Sequence, residues 1–301
     1  MSTSLPTRPQ GLSYLACPAP AKLNLFLHIT GRRDDGYHLL QSVFQLIDRC
    51  DTLDFHLRAD GVIRRVNQVA DIPEESDLVV RAARLLQPFC KQGLGADIYL
   101  HKILPMGGGV GGGSSDAATT LMALNQLWQC HLNQTQLMTL GLSLGADVPF
   151  FIFGQNAFVE GIGEQMQAIT TPELWFLVIE PGVHVPTPTI FSAKELTRDT
   201  KPVRITDFSS ATKVEWKNDL QAVACALHPE IAHAIHWLKQ FEINQGDAKM
   251  TGSGSCVFCA FPSEAAAKKV LQQVPQHWTS WIAKALQQHP INFQFNLQAA
   301  S

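Results

Sequence analysis

Hydrophobic and polar residues alternate along residues 21–29, which is the spacing of a β-strand. The apolar face of this strand carries Leu23, Leu25, Leu27 and Ile29. The opposite face carries Lys22, Asn24 and His28. The turn dipeptide Asp35-Gly36 follows, and alternation resumes over residues 51–58. The pattern predicts two strands, the first with one buried and one polar face.

Helical spacing replaces this alternation farther along the chain. Apolar residues three or four positions apart predict helices over residues 77–89, 114–128 and 135–144, and Ser76 or Asp77 can cap the first. A strand over residues 96–104 lies between the first two helices. The apolar segment over residues 150–164 predicts a hairpin that turns at residues 154–156.

A polar stretch with a proline, residues 170–173, divides the chain. We predict a loose leader over residues 1–17, an N-terminal domain over 18–170 and a C-terminal domain over 171–301. After a strand at 175–179, residues 192–217 are expected to be looped. The remaining predicted elements are helices at 219–227 and 229–241, a strand pair around 251–261, a helix at 263–273 and a strand at 281–286. That order is typical of a split βαβ sheet.

The net charge of −3 over 301 residues argues against a nucleic-acid-binding protein, which needs a basic surface. No apolar window is long enough for a membrane span or a signal peptide. Most of the seven cysteines lie in apolar runs, as reduced buried cysteines do. Cys256 and Cys259 lack a second pair for zinc, so a strand interior explains them better. These features favour a cytoplasmic protein.

The segment PMGGGVGGGSSDAA, residues 105–118, places six glycines between a predicted strand and a predicted helix, which Ser114 and Ser115 can cap. Free N–H groups at a helix N-terminus favour phosphate, and residues without side chains let the backbone approach it. The lysine of a Walker A loop and the ribose-binding acid of a dinucleotide fold are both absent from the sequence. We predict a phosphate loop of another type, with a purely structural loop as the alternative. Residues 251–255 form a second Gly/Ser segment, either a structural turn or part of the same polyphosphate site.

Lys22 and Asp147 are the candidate catalytic pair. An aspartate can accept the proton of a hydroxyl group, and a lysine can stabilise the resulting negative charge. The alternatives are a solvated lysine on a polar strand face and an aspartate that orients a turn. Tyr37 and His38 follow the turn at Gly36 and could stack on a base and hydrogen-bond to it, whereas the alternative is a surface tyrosine.

Four segments together resemble the motifs of the GHMP kinases: PAPAKLNLFLHITGRRDDGYHLLQSVFQ, PMGGGVGGGSSDAA, LGLSLGADVPFF and TGSGSCVF. The resemblance implies an α+β fold, in which a domain similar to domain 2 of ribosomal protein S5 precedes a ferredoxin-like domain. It also implies phosphoryl transfer from ATP to an alcohol, with Mg²⁺ as a cofactor. The opening motif resembles that of family members whose acceptor is a small molecule, a cytidine diphosphate-linked methylerythritol, so the resemblance implies this acceptor.

The resemblance also implies roles for individual residues, with Lys22 and Asp147 matching the catalytic pair. The residues implied to bind ATP are Asp77, Leu78, Val79, Lys102, Pro105, Met106, Gly107, Gly108, Gly109, Val110, Gly111, Gly112, Gly113, Ser114 and Ser115. The residues implied to bind the second substrate are Asn24, Tyr37, His38, Phe44, Phe191, Gly252 and Ser253. Tyr37 and Phe191 would enclose the cytosine, and His38 would hydrogen-bond to its edge.

Two aspartates depart from this scheme or fit it poorly. Asp77 stands where asparagine is more common in the family. Asp116 opens the predicted helix, where it could complement the helix dipole or attract Mg²⁺ but would also repel a bare phosphate. The metal ligands therefore stay unassigned at this stage.

Three alternatives to this function remain open. The chain could be a homoserine, mevalonate or phosphomevalonate kinase, an RNA-binding module, or an inactive relative that binds nucleotide. The net charge of −3 speaks against RNA, and the presence of both Lys22 and Asp147 speaks against an inactive relative. We expect a monomer or a weak homodimer, with no nucleic-acid or membrane partner.

Overall fold

The computed structural model describes residues 12–69, 73–209, 216–242 and 248–292 of the 301-residue chain. The first sheet contains β1 (Ser13–Arg32), β2 (His38–Arg58), β3 (Ile63–Arg65), β4 (Gly95–His101), β5 (Ala157–Glu160) and β6 (Gln165–Ala168). Its helices are α1 (Leu78–Leu86), α2 (Gly112–Leu127), α3 (Gln134–Leu142) and α4 (Val148–Phe153). Short 3₁₀ turns occupy Glu74–Ser76 and Gln87–Phe89. The strands follow the order β3-β4-β2-β5-β6, and β1 also pairs with β2.

The second sheet has the strand order β10-β7-β9-β8, and its described ladders are antiparallel. Its strands are β7 (Trp175–Glu180), β8 (Lys249–Met250), β9 (Val257–Phe261) and β10 (Thr279–Lys284). The helices of this half are α5 (Thr187–Ser192), α6 (Ile205–Ser209), α7 (Gln221–Leu227), α8 (Pro229–Leu238) and α9 (Glu264–Leu271), and Lys239–Phe241 is a 3₁₀ turn. The predicted loop over 192–217 thus contains α6, and residues 210–215 lie outside the described ranges. None of the helices in the described part of the chain is long and apolar enough to cross a membrane.

The two sheets share part of their hydrophobic core. Ala21 and Leu23 of β1 pack in one buried cluster with Phe176 and Val178 of β7 and with Trp281 of β10. The chain passes from one sheet to the other between Ala168 and Trp175, the stretch in which the sequence predicts a domain boundary. The shared core fixes β1 beside the second sheet, so β1 contributes to a cleft between them.

Both faces of β1 are covered, which differs from the predicted strand with one polar face. Lys22, Asn24 and His28 are all buried, so the interpretation of Lys22 as a solvated surface lysine is wrong. The pairing with β2 is irregular between Asn24 and Leu27, and Phe26 is buried there. Buried polar groups cost free energy unless they have partners. The polar groups of β1 therefore need partners, and Lys22 and Asn24 have theirs at the candidate site.

The predicted leader over residues 1–17 is wrong at its C-terminal end. β1 begins at Ser13, and Cys17 is buried opposite Leu53 of β2, while residues 1–11 lie outside the described ranges. The prolines at positions 18 and 20 suggest an irregular segment, but β1 pairs only with β2 among the described strands. A strand with one paired edge tolerates proline, which lacks an N–H group.

The predicted hairpin that turns at 154–156 is also wrong. Residues 148–153 form α4, with Pro149 in its first turn and Gly154 in the left-handed conformation at its end. A short apolar run fits a buried helix and a buried strand equally well, which is why periodicity misleads here. The hairpin of this region is formed by β5 and β6 instead.

Cys90 and Cys130 form a disulfide, so the expectation of reduced cysteines is wrong for this pair. They follow α1 and α2, and these two helices pack side by side with their C-terminal ends together. That pairing depends on tertiary packing and leaves no local pattern in the sequence. The five other cysteines form no disulfide in the described ranges. Cys259 is buried within β9, and the buried Cys256 directly precedes that strand.

Candidate active site

A cleft of about 1030 Å³ opens between the two halves of the protein. The glycine segment lines it together with β1, α5 and the turn that carries Tyr37 and His38. The second glycine segment contributes Gly252 and Ser253. The cleft therefore collects residues that are far apart in the sequence but share the predicted chemistry.

The glycine segment forms a tight loop that leads directly into α2. The helix begins at Gly112, two residues before the predicted start, and Gly111 at its N-terminal boundary has φ +75°. Ser114 and Ser115 lie inside the first turn, so the prediction that they cap the helix is wrong. Because no side chain caps this end, its N–H groups remain available to an anion.

The two Gly/Ser segments touch each other. Thr251 Oγ1 donates to the carbonyl of Gly109 at 3.3 Å, and Cys256 N donates to that of Gly108 at 3.1 Å. A Cβ atom on Gly109 would lie 2.3 Å from the carbonyl oxygen of Thr251, so only glycine fits here. Ser253 Oγ lies 2.7 Å from Thr187 Oγ1 of α5. This contact favours a shared polyphosphate site over two unrelated structural turns.

Lys22 is held in place by neighbours on all sides. Its Nζ donates to Asn24 Oδ1 at 2.6 Å, lies 3.4 Å from Asp147 Oδ2 and sits 4.6 Å from the centre of the Phe44 ring. The backbone N–H of Lys22 donates to the carbonyl of Val110 at 2.9 Å. This last bond joins β1 to the glycine loop, so the lysine charge lies beside the phosphate loop.

Asp147 connects α3 to α4, and its side chain makes no capping hydrogen bond to α4. Instead it reaches Lys22, and its side chain is 34% exposed in the cleft. Asn24 is fixed in turn, because its Nδ2 donates to Ser42 Oγ at 2.9 Å and its backbone N–H donates to Thr251 Oγ1 at 3.0 Å. A buried cation thus faces an accessible carboxylate, an arrangement that suits proton abstraction beside a charged group.

An aromatic pocket lines another part of the cleft. The rings of His38 and Phe191 lie 5.1 Å apart, and Tyr37 is 61% exposed nearby. Arg198 Nε donates to His38 Nε2 at 3.0 Å. Burial lowers the pKa of His38, and the charges of Arg198 and Arg32 lower it further. His38 is therefore a neutral imidazole between an aromatic ring and a guanidinium group.

Family comparisons agree with this geometry. The family model described as "GHMP kinases N terminal domain" matches residues 77–155, and the one described as "GHMP kinases C terminal" matches residues 203–280. Together they cover more than half of the chain. The chain belongs to the GHMP kinase family. The resemblance and the α+β fold expected from the sequence are thereby confirmed.

Individual GHMP kinases are similar over nearly the whole chain. A protein of Herminiimonas arsenicoxydans named "4-diphosphocytidyl-2-C-methyl-D-erythritol kinase" is 66% identical over 280 residues, which are 92% of this chain and 96% of that protein. A crystal structure of 4-(cytidine 5'-diphospho)-2C-methyl-D-erythritol kinase matches with a TM-score of 0.76 at 29% identity, covering 91% of this chain and 99% of that one. A homoserine kinase structure from Cytophaga hutchinsonii matches with a TM-score of 0.63 at 16% identity, covering 95% and 98%, and shares the fold alone.

Most of the site residues predicted for this GHMP kinase line the cleft. The exceptions are Val79, Val110 and Ser115, which were expected to bind ATP but do not line the cleft. Val79 packs in the core and Val110 in the cluster between the sheets, so their side chains do not face the cleft. Asp77 caps α1 through a 2.9 Å bond from Val79 N and pairs with Arg65, which explains an aspartate at this position.

Lys102 does line the cleft, but two carboxylates bind its ammonium group. Its Nζ lies 2.5 Å from Asp51 Oδ2 and 2.7 Å from Asp116 Oδ2. Burial raises the pKa of Asp116 to about 7, against the opposing effect of Lys102. Burial alone would lower the pKa of Lys102, but the two carboxylates outweigh it and raise that pKa. Asp116 is thus paired with Lys102 through Oδ2.

Sequence reasoning missed Asp51 and Arg198. Asp51 is fully buried and also accepts hydrogen bonds from the backbone N–H groups of Ile103 and Leu104. Arg198 contacts His38, 160 positions earlier in the chain. Neither residue belongs to a local motif, because each acts on a partner that only the tertiary fold brings close.

Proposed function

We propose that this GHMP kinase transfers the γ-phosphoryl group of ATP to the 2-hydroxyl of 4-diphosphocytidyl-2-C-methyl-D-erythritol, a step of non-mevalonate isoprenoid biosynthesis. Relatives that share more than half of their residues with this chain carry that name. The observation that carries the proposal is the Lys22–Asp147 pair, which opens onto the same cleft as the glycine loop. The aromatic pocket of that cleft suits a pyrimidine base.

The glycine loop and the N-terminus of α2 would bind the ATP phosphates. Backbone N–H groups and the helix dipole favour negative charge there, and the adjacent Lys22 adds a full positive charge. Phosphoryl transfer has a loose transition state, so a protein accelerates it mainly by positioning groups and stabilising charge. A rigid loop beside a fixed cation supplies both.

In the transfer, the acceptor O–H bond breaks and the oxygen bonds to the γ-phosphorus. The bond from that phosphorus to the bridging oxygen breaks, and ADP leaves with its electron pair. Asp147 Oδ2 would accept the hydroxyl proton, because this carboxylate is exposed to the cleft. Lys22 Nζ would stabilise the negative charge that develops between acceptor and phosphate.

Mg²⁺ belongs to this proposal as the ion that accompanies ATP. Asp116 lines the cleft, and its Oδ1 has no hydrogen-bond partner among the described residues. Mg²⁺ prefers oxygen ligands and is commonly bound by one or two carboxylates together with substrate phosphates. Asp116 is thus a residue of this chain that fits the ion, whose charge would neutralise the phosphates. In the described ranges, no cluster of three or more His, Cys, Asp or Glu residues is suited to hold a metal by itself.

We also propose that the enzyme is cytoplasmic and acts as a monomer or weak homodimer. The cysteines outside the disulfide, among them the buried Cys17, Cys256 and Cys259, support a reducing compartment. The Cys90–Cys130 disulfide, by contrast, is typical of an oxidising compartment.

A coupled assay for ADP formation tests the function. We expect turnover that depends on 4-diphosphocytidyl-2-C-methyl-D-erythritol, with little ADP formed from methylerythritol, mevalonate or homoserine. Mass spectrometry of the product should show one added phosphoryl group. Faster turnover of mevalonate or homoserine would overturn the assignment of the acceptor while leaving the family unchanged.

A further inference from the structure

Arg198 uses its whole guanidinium group inside the protein. Nη1 donates to the carbonyls of Lys194 and Leu196, and Nη2 donates to those of Phe191 and Ala193. These four carbonyls belong to the segment that ends α5 and follows it. The remaining donor is Nε–H, which points at His38. The guanidinium group is therefore fixed by the chain around it, and its last hydrogen bond is aimed at one ring nitrogen.

That hydrogen bond determines which nitrogen of His38 carries a proton. Arginine has N–H donors and no acceptor, and it stays protonated in proteins. His38 Nε2 must therefore be the acceptor in the 3.0 Å contact, so the proton of the neutral ring lies on Nδ1. The lowered pKa of His38, caused by burial and then by Arg198 and Arg32, agrees with a neutral ring.

We propose that Arg198 is a positioning residue that holds His38 in the Nδ1–H tautomer and so makes the pocket select a base that presents an acceptor. The inference rests on the proposed function, in which His38 meets the edge of a pyrimidine. Cytosine has an unprotonated N3, which accepts a hydrogen bond, whereas N3 of uracil carries a proton. Nδ1–H therefore favours cytosine, and two donors would face each other if uracil occupied the same position.

The position of His38 supports this selection. His38 lines the cleft, its ring lies 5.1 Å from that of Phe191, and the described residues supply no hydrogen-bond partner for Nδ1. A polar site rejects an analogue strongly when the mismatch leaves its groups unpaired. The discrimination between cytosine and uracil would come from the tautomer of His38, which Arg198 fixes.

The first test reads the tautomer directly. In protein labelled with nitrogen-15 at histidine, His38 is assigned by comparison with His38→Gln. The expected spectrum shows Nδ1 protonated and Nε2 unprotonated in the wild type, and a mixture of both tautomers in Arg198→Met. An Nε2–H tautomer in the wild type, or an Nδ1–H tautomer that survives in Arg198→Met, would overturn the proposal.

The second test measures selectivity with cytidine 5'-diphosphate and uridine 5'-diphosphate as calorimetric probes. We expect the wild type to prefer the cytidine compound at least tenfold, and Arg198→Met to reduce this preference to less than about threefold. A tenfold change corresponds to about 1.4 kcal/mol, the scale of one hydrogen bond. In the kinase assay, the KM for the cytidine substrate should rise about tenfold while kcat changes less than about threefold.

Loss of Arg198 also removes its four hydrogen bonds to the α5 segment. A double-mutant cycle separates this structural effect from the effect on the His38 tautomer. In a His38→Gln background, Arg198→Met should leave the cytidine-to-uridine ratio unchanged, because the ring on which Arg198 acts is absent. An equal effect in both backgrounds would mean that Arg198 acts only on the fold. Arg33→Met is the matched control, since Arg33 is exposed and paired with Asp35, and it should keep the wild-type ratio.

These results are independent of the kinase assignment. A wild type that fails to phosphorylate the cytidine substrate would refute the proposed function. The tautomer of His38 and the preference between the two diphosphates would still decide the role of Arg198.

Discussion

Nζ of Lys22 lies 3.4 Å from Oδ2 of Asp147, and the lysine side chain is 4% exposed whereas the aspartate side chain is 34% exposed. The lysine is immobilised by Asn24 and by the backbone of the glycine loop. The aspartate can still reach a molecule in the cleft. The pair thus combines a fixed positive charge on Lys22 with an accessible base on Asp147.

Asp147→Asn should lower kcat by about 10² or more, because the amide cannot accept the hydroxyl proton. The variant should unfold at nearly the wild-type temperature, since Asp147 makes no capping bond to α4. Steady-state kinetics with saturating ATP and thermal unfolding measure the two effects. Asp60→Asn is the control, because Asp60 is exposed, pairs with Arg58 and does not line the cleft. Near-wild-type turnover of Asp147→Asn would contradict the proposed role.

The periodic segments were the predictable part of the fold. The helix over 77–89 and the strand over 96–104 correspond to α1 with its following turn and to β4, because amphipathic spacing reflects which face is buried. The apolar run at 150–153 was mispredicted, since its first three residues are buried and the fourth is partly buried as part of α4. Periodicity carries no information where every face is apolar.

The glycine loop and the Lys22–Asp147 pair could be proposed from sequence because each lies in a recognisable segment. The residues that hold these groups in place could not be proposed from sequence. Asp51 binds Lys102 across 51 positions, and Arg198 reaches His38 across 160. Contacts of this kind arise from the packing of β2 against β4 and of the two halves against each other, and no spacing rule encodes them.

Gly109→Ala should destabilise the protein by about 2 kcal/mol or more. The residue has φ +75°, which is unfavourable for alanine, and the new Cβ would lie 2.3 Å from the carbonyl oxygen of Thr251. Urea unfolding gives the free energy. Gly113→Ala serves as the matched control for stability, because its Cβ would meet Leu78 at an ordinary 3.5 Å within α2. We expect that control to be neutral or more stable by up to about 1 kcal/mol. Equal losses in both variants would contradict the close contact between the glycine segments.

Asp51→Asn should lower the free energy of unfolding by about 3 kcal/mol, the usual cost of breaking a buried ion pair. The carboxylate is fully buried and accepts from Lys102 Nζ and from two backbone N–H groups. The amide would leave Lys102 with Asp116 alone. Asp60→Asn, which breaks an exposed ion pair, should change the unfolding free energy little in the same urea titration. If the two variants were equally stable, the buried network would not contribute as argued.

His289 makes the stability of the protein depend on pH. The residue is fully buried, Nδ1 accepts from the backbone N–H of Ile291 at 3.2 Å, and burial lowers its pKa from 6.5 to about 3. Since the folded-state pKa lies below the unfolded-state value, the contribution is complete above pH 6.5. It is lost as the pH falls from there toward 3, because only the unfolded chain then binds the proton. The slope should reach about 1.4 kcal/mol per pH unit.

His289→Asn tests this dependence, because asparagine keeps an acceptor for the N–H group of Ile291 but does not titrate. Urea unfolding between pH 7 and pH 4.5, two units below 6.5, should show a loss about 2 to 3 kcal/mol larger in the wild type than in the variant. Comparison of the two proteins at each pH removes the contribution of the carboxylates, which both proteins share. Parallel pH profiles for the two proteins would show that His289 takes up a proton without unfolding, and the assigned pKa would then be wrong.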